Sequence, residues 1–110
     1  MKIKTKTKIT INTGVVDSIN DVVSASIINI NTDLKTYNII AELYSENKGV
    51  ITKLGNVSAS VERSVLAQYL NKFTSDKTEK VDMQEQAYYY VLSEEVAKFL
   101  KITVSDLVIV

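Results

Sequence analysis

The chain of 110 residues contains no cysteine, histidine, tryptophan or proline. Without cysteine or histidine it has no Ser-His or Cys-His nucleophile, no thiolate or imidazole metal ligand and no disulfide. Its three glycines exclude a glycine-rich phosphate-binding loop. We therefore expect a protein that is not an enzyme and that holds no metal and no cofactor.

Long apolar runs and a net excess of charge are also lacking. The 13 basic residues balance 13 acidic ones, and no apolar run approaches the roughly 20 residues that span a bilayer. The N-terminal Met1-Lys2-Ile3-Lys4 is polar where a signal peptide would be apolar. We expect cytoplasmic synthesis without a signal peptide, and no membrane partner.

β-branched residues are abundant. Isoleucine, valine and threonine supply about one residue in three, and their stiff side chains fit pleated sheets. From Lys2 to Asn12 apolar and polar residues alternate with a period of two, which predicts one continuous strand. Further strands are predicted over Val22–Asn31, Thr36–Ser45 and Val50–Leu54.

The segments between these strands are rich in turn-forming residues. We predict a connection over Asp17–Asp21, a tight turn over Thr32–Lys35 and a hairpin turn over Glu46–Gly49, where Asn and Gly would supply positive φ. The fourth strand is predicted to stop at Gly55-Asn56. A change of apolar phase at Ile27-Ile28 predicts either a bulge there or a strand covered on both faces.

After Gly55 the apolar period lengthens and favours helices. A first helix with Ser58 or Ser60 as its cap would place Val61, Val65 and Tyr69 in one row. A second helix is predicted to follow a polar linker.

The remaining boundaries complete the fold. The linker is Thr74–Thr78, the second helix runs from about Val81 to Lys101, and Ile102–Val110 supplies a final strand. Its apolar side is predicted to include Ala87 and Tyr90. The order predicts a single α+β domain over residues 1–110: a mostly antiparallel sheet of four to five strands with two helices packed on one face. Residues 1–13 form a candidate N-terminal β arm.

Four lysines on one side of the predicted first strand are the sharpest local feature: Lys2, Lys4, Lys6 and Lys8. Ammonium groups ~7 Å apart would follow a nucleic-acid backbone or an acidic protein surface. They would equally keep an exposed strand soluble and discourage edge pairing, which is the interpretation we favour. Residues 1–16 carry a net charge of +4 and residues 75–110 carry −3, a segregation suited to head-to-tail association of identical copies.

Three consecutive tyrosines lie on the second predicted helix. Tyr88, Tyr89 and Tyr90 spread over ~200° at 100° per residue, so they cannot all face one core. At least one is expected at the surface or at an interface, where tyrosine is enriched.

Three short patterns suggest other chemistry. Glu95–Leu107 resembles the helix-turn-helix of small regulators, with Lys101 in place of the turn glycine, although we expect Leu107–Val110 to be strand. Ser45–Lys48 matches the S-x-x-K pattern of acyl-serine enzymes, but it lies in a predicted turn and its usual partner motifs are missing. Asp17, Asn20 and Asp21 could hold a hard cation, but their spacing is not that of an EF-hand loop.

The whole chain, with its long alternating strands, its Asn, Ile, Lys and Thr content and its apolar final segment, resembles the small structural proteins of tailed bacteriophages. These include head-completion, tail-terminator, tail-tube and baseplate components. The resemblance implies a non-enzymatic virion subunit that forms a homo-oligomeric ring or tube, with neighbouring structural proteins, through sheet-edge and charge-complementary contacts. The candidate contact residues are Lys2, Lys4, Lys6, Lys8, Tyr88, Tyr89 and Tyr90.

Two alternatives stay open. One is a small nucleic-acid-binding module that uses the basic strand from Lys2 to Lys8. The other is a small regulator or immunity-type protein that binds one partner.

Overall fold

The structure is a computed structural model that describes residues 1–12, 17–20, 22–70 and 80–110. Five strands form one antiparallel sheet in the order β6-β5-β4-β1-β7, and β2 and β3 form a separate hairpin. This sheet with its two helices confirms the predicted α+β class. The strands are β1 (Ile3–Thr5), β2 (Ile9–Asn12), β3 (Asp17–Asn20), β4 (Val22–Thr32), β5 (Thr36–Asn47), β6 (Val50–Glu62) and β7 (Leu107–Ile109); the helices are α1 (Arg63–Leu70) and α2 (Lys80–Leu100), with a short 3-10 turn at Val104–Asp106.

The long strands β4, β5 and β6 form a meander that makes up most of the sheet. The tight turn between β4 and β5 is confirmed: Oδ1 of Asp33 accepts the N–H groups of Lys35 (2.8 Å) and Thr36 (2.7 Å). The register between β4 and β5 shifts between Ile27 and Asn29, so the change of apolar phase reflects a bulge. Ile28, the extra residue, is 54% exposed.

The hairpin between β5 and β6 is confirmed, with one change in its turn. The residues with positive φ are Lys48 (51°) and Gly49 (83°), whereas the sequence suggested the asparagine before them. A two-residue turn with both central residues in the left-handed region matches the twist of the flanking strands, and this fixes Asn47 opposite Val50.

The prediction of one strand from Lys2 to Asn12 is wrong in its middle. β1 pairs with β4 on one side and β7 on the other, inside the sheet, whereas β2 pairs only with β3 among the described strands. The hydroxyl of Thr5 accepts the N–H of Val23 (3.0 Å), which replaces the next ladder bond and ends β1. Ile9 in β2 is buried like Ile3 in β1. The apolar alternation therefore continues across the break, although the strand does not. The prediction of a connection at Asp17–Asp21 is likewise wrong over residues 17–20, which form β3.

The prediction that β6 stops at Gly55 is also wrong. The strand continues to Glu62 through a register shift that places Gly55 opposite Leu43 and Lys53 opposite Tyr44. A glycine inside a strand often marks such a bulge. The proposed capping residues Ser58 and Ser60 are therefore strand residues, and α1 begins at Arg63. Valines four residues apart share one face of a strand as well as of a helix, which is why the pattern misled.

The second helix is confirmed within a residue at each end. Its side chains that face the sheet are Ala87, Tyr89, Leu92, Val96 and Leu100, all at most 5% exposed. Together with Ile39, Ala41 and Leu43 of β5 and Leu66 of α1 they form a single core. The prediction that Tyr90 faces the core is wrong, because the helix is rotated so that Tyr89 is buried and Tyr90 is 40% exposed.

The end of α2 is a left-handed cap. Lys101 has a φ of 57°, the N–H of Ile102 donates to the carbonyl of Ala97 (3.0 Å), and the N–H of Lys101 donates to that of Lys98 (3.3 Å). These are the two bonds of a Schellman motif. The chain then passes through the 3-10 turn into β7, so the final strand is three residues long instead of nine. The region of the helix-turn-helix resemblance contains no second α-helix.

Candidate functional site

β7 lies at one edge of the sheet and offers backbone groups to a further strand. Lys2 and the backbone of Val110 exchange both of their hydrogen bonds (2.8 and 2.9 Å). Because hydrogen-bonded and non-bonded pairs alternate in an antiparallel ladder, Ile109, which faces Ile3, directs its N–H and C=O away from β1. The edge is therefore able to accept a partner strand.

A cleft of about 530 Å³ runs along this edge, between β7 and one side of α2. The helix contributes Gln86, Tyr90 and Ser93, which the α-helical repeat brings onto one side. We call this the β7 cleft; its lining is Met1, Lys6, Gln86, Tyr90, Ser93, Val104 and Leu107–Val110.

The rim of the β7 cleft is apolar and exposed. Half of the exposed large hydrophobic side chains in the described residues lie on it, and their exposed fractions range from 37% to 55%. Single exposed apolar residues are ordinary on a surface, but a contiguous group around an unpaired edge is typical of an interaction site. The five residues are Met1, Tyr90, Val104, Val108 and Val110. The alternation along β7 turns the side chains of Val108 and Val110 to the face of the sheet opposite α2, so the group surrounds the edge from both sides.

One end of the β7 cleft is held by the 3-10 turn. The N–H of Thr103 donates to Oδ2 of Asp106 (3.0 Å), and the Thr103 hydroxyl donates to the same oxygen (3.0 Å). The bond from the Thr103 N–H is the main reason that the pKa of the Asp106 carboxyl is lowered. The N–H of Lys6 donates to the Asp106 carbonyl (3.0 Å), which ties the turn to the end of β1.

The three tyrosines have three different environments. Tyr89 is 3% exposed; its hydroxyl accepts the N–H of Ile27 (3.0 Å) and donates to the carbonyl of Met1 (2.8 Å). Burial raises the pKa of the Tyr89 phenol. Tyr90 lines the β7 cleft. Of the three, therefore, only Tyr90 is placed to meet a partner at the β7 edge.

Tyr88 belongs to a stack at another place on the molecule. Its ring lies edge-on to Tyr37 with centroids 5.5 Å apart, and the Arg63 guanidinium lies 4.7 Å from the centroid of Tyr37. Burial raises the pKa of the Tyr88 phenol, while the amide of Gln84 that donates to its oxygen (2.7 Å) acts in the opposite direction. The stack joins α2 to the start of α1.

The four candidate lysines do not form one row. Lys2 and Lys4 belong to the segment that pairs with β7. Lys6 lies beside Asp106 in the β7 cleft, and Lys8 lies with Ile9 and Ile11 beside the end of α2. Lys6 and Lys8 lie in the break between β1 and β2, so the four ammonium groups do not follow one continuous strand.

The remaining sequence patterns lead to no site among the described residues. Ser45 is 2% exposed within β5, and Lys48 lies in the hairpin turn. The side chains proposed for a hard cation lie outside the described residues. Elsewhere in the described chain, no group of three or more acidic, His or Cys side chains is placed to hold a metal ion.

Comparisons with protein-family models, with curated proteins and with solved structures give no match. In the described part of the chain, neither helix has the length and apolar character needed to span a membrane.

Sequence reasoning found some parts of this site and missed others. The apolar run Leu107–Val110 indicated a strand, and three adjacent tyrosines indicated an exposed ring. The β7 cleft itself was missed, because it depends on the order of strands in the sheet and on the rotation of α2. The Gln86, Tyr90 and Ser93 spacing was the available signal, although such spacing is common on helices.

Proposed function

We propose that this chain is a non-enzymatic assembly subunit, of the kind that small structural proteins of tailed phages supply to a virion, and that copies join through their sheet edges. The apolar rim of the β7 cleft carries the proposal. An exposed apolar group beside outward-facing backbone N–H and C=O groups suits the addition of a strand, where the backbone supplies hydrogen bonds and the side-chain pockets supply selectivity.

The opposite edge of the sheet supplies a strand of suitable length. β6 has 13 residues, and within the described residues it pairs only with β5. Because the β6 and β7 edges differ, pairing β6 of one copy with β7 of the next is a head-to-tail contact. Repeated head-to-tail contacts generate a ring when the rotation closes and a tube or filament when it does not.

The separation of the four lysines supports assembly over nucleic-acid binding. Lys2 and Lys4 lie on the sheet, Lys6 lies at the end of β1 beside Asp106, and Lys8 lies beside the end of α2. The whole molecule has no net charge. Nucleic-acid affinity of the nonspecific kind requires several phosphate contacts on one surface.

Mass photometry of the wild type and two charge variants tests the proposal. Val104→Glu places a carboxylate on the rim of the β7 cleft, where desolvating it would oppose strand addition. Leu34→Glu is the matched control, because Leu34 is 95% exposed and lies in the β4–β5 turn. We expect oligomers larger than a dimer for the wild type and for Leu34→Glu, and a loss of these larger oligomers for Val104→Glu. A wild type that stays monomeric, or equal assembly of all three proteins, would contradict the proposal.

A further inference from the structure

The face of the sheet opposite α2 carries ordered rows of polar side chains. Cross-strand pairing places Val108, Lys4, Ser24, Tyr44 and Lys53 in one row that crosses all five strands. We call this face the open face. Two contacts confirm that its side chains are neighbours: Ser26 Oγ lies 3.0 Å from the Tyr44 hydroxyl, and Lys53 Nζ lies 4.0 Å from Oε1 of Glu42.

A second row lies beside the first. Ser26 pairs with Glu42, which pairs with Asn56. Continuing the register of β1 by one residue from the Ile3–Ala25 pair places Lys2 on the other side of Ser26. On this face the central strand β4 therefore carries Ser24, which is buried, and Ser26, with lysines on its β1 side and a tyrosine and a glutamate on its β5 side.

The side chains on the two sides of β4 differ in charge and lie at equal distances from it. Neighbouring strands are ~4.8 Å apart, so Lys2 and Lys4 lie one strand away from β4 on one side. Glu42 and Tyr44 lie one strand away on the other. A two-fold rotation about an axis along β4 exchanges these sides.

We propose that the open face binds the open face of a second copy, with the two-fold axis along β4. In that pair, Lys2 lies opposite Glu42 of the second copy, and Lys4 lies opposite the Tyr44 ring of the second copy, where an ammonium group is attracted to the ring face. Each contact occurs twice. Both serines lie on the axis. Ser24 is only 4% exposed, so Ser26 is the serine that faces its counterpart, and its small size lets the two sheets come together.

Charge also selects this orientation over its main competitor. A two-fold axis across the strands would place β1 opposite β1 and set lysines against lysines. Complementary charges of this kind favour one register and suppress others more than they add affinity. The contact goes beyond the edge pairing proposed above, because strand addition at the edges leaves the open face free.

Charge exchange tests the proposal, in a Val104→Glu background that removes the edge contact. Lys2→Glu sets glutamate opposite glutamate, and Glu42→Lys sets lysine opposite lysine. Lys2→Glu combined with Glu42→Lys restores opposite charges. By sedimentation equilibrium at about 50 mM salt, where exposed charges are weakly screened, we expect each single change to weaken dimerisation about tenfold and the combination to restore most of it.

Lys35→Glu is the charge-matched control, because Lys35 lies in the exposed β4–β5 turn. It should leave dimerisation unchanged. Equal weakening by Lys35→Glu and Lys2→Glu, or no restoration by the combined change, would overturn the proposal. A monomeric Val104→Glu protein would also overturn it but would leave the edge proposal standing, because the edge proposal concerns the oligomers larger than a dimer that Val104→Glu is expected to lose.

Cross-linking tests the axis directly, since the chain has no cysteine of its own. Ser26→Cys places a single thiol on the proposed axis, within reach of its counterpart across two packed sheets ~10 Å apart. Ser58→Cys, on β6 and on the same face, would lie ~20 Å from its counterpart, two strands from the axis on each side. A short bismaleimide should join Ser26→Cys and not Ser58→Cys; equal yields would contradict the axis.

Discussion

At the scale of single residues, Lys101 stands where the backbone favours glycine. It lies at the left-handed position after α2, with a φ of 57°, and it is exposed. A side chain with a Cβ is disfavoured there because Cβ crowds the following carbonyl. The two Schellman bonds nevertheless form, so the core contacts on both sides of Lys101 maintain an unfavourable residue.

Lys101→Gly should therefore stabilise the protein. Removing Cβ relieves about 1–2 kcal/mol, and the extra freedom of glycine in the unfolded chain takes back about 0.4–1 kcal/mol. We expect a net gain of about 0.5–1 kcal/mol in the free energy of unfolding, measured by urea denaturation. Lys98→Gly, inside the last turn of α2, should destabilise by about 1 kcal/mol; the same sign for both variants would refute this account.

Tyr89 is a second residue whose role follows from its bonds. Its hydroxyl accepts the N–H of Ile27 beside the bulge and donates to the Met1 carbonyl, so one buried group joins α2 to β4 and to the chain before β1. Tyr89→Phe leaves the Ile27 N–H without that acceptor and should destabilise by about 1–3 kcal/mol. Tyr88→Phe, which loses a bond at a more exposed site, should destabilise less.

The pH dependence of stability gives a second test of the buried Tyr89 phenol. Burial raises the pKa of Tyr89 above its ordinary value of 10.0, so the folded state favours the protonated phenol. Its contribution to stability is complete below pH 10.0 and is lost as the pH rises through the raised pKa. Thermal melts between neutral and alkaline pH should show a smaller alkaline loss for Tyr89→Phe than for the wild type. Equal losses would show that Tyr89 does not titrate as described.

At the scale of elements, the sequence predicted those whose period was unambiguous. β5 alternates over its whole length, and α2 is long with an apolar stripe, so both were found with small errors in their ends. β6 was cut at Gly55, because a glycine signals a stop and a bulge equally well. Ile9 and Ile11 continue the apolar alternation of β1. Only the partner strands show that β1 and β2 are separate, because β1 pairs with β4 and β7 whereas β2 pairs with β3.

The functional surfaces depended on features that a single sequence does not encode locally. The open face follows from the pairing of Lys4 with Ser24 and of Ser24 with Tyr44, residues far apart in the chain. The β7 cleft required β7 at an edge and Tyr90 turned away from the core. The lysines were visible as a group, but the break after Thr5 divides them.

At the scale of the whole molecule, the two proposed contacts use different directions of one sheet. Edge pairing extends the sheet sideways, whereas open-face pairing stacks two sheets. The molecule measures 43 × 30 × 22 Å, and the two contacts together would build a double-layered ring or tube.

Two contacts that use separate residues should be separable by mutation. Val104→Glu should leave pairs held by the open faces, and Lys2→Glu should leave a single layer held by the edges. The two changes together should give a monomer.

Salt should affect the two contacts differently. The pairs that remain in Val104→Glu are held by ionic contacts, so raising the salt to about 500 mM should dissociate them, because it screens exposed charges to within a few ångströms. The same salt should leave the Lys2→Glu layer intact. Sedimentation equilibrium at both salt concentrations measures all four proteins, and a Lys2→Glu layer that dissociates with salt would show that the edge contact is not apolar.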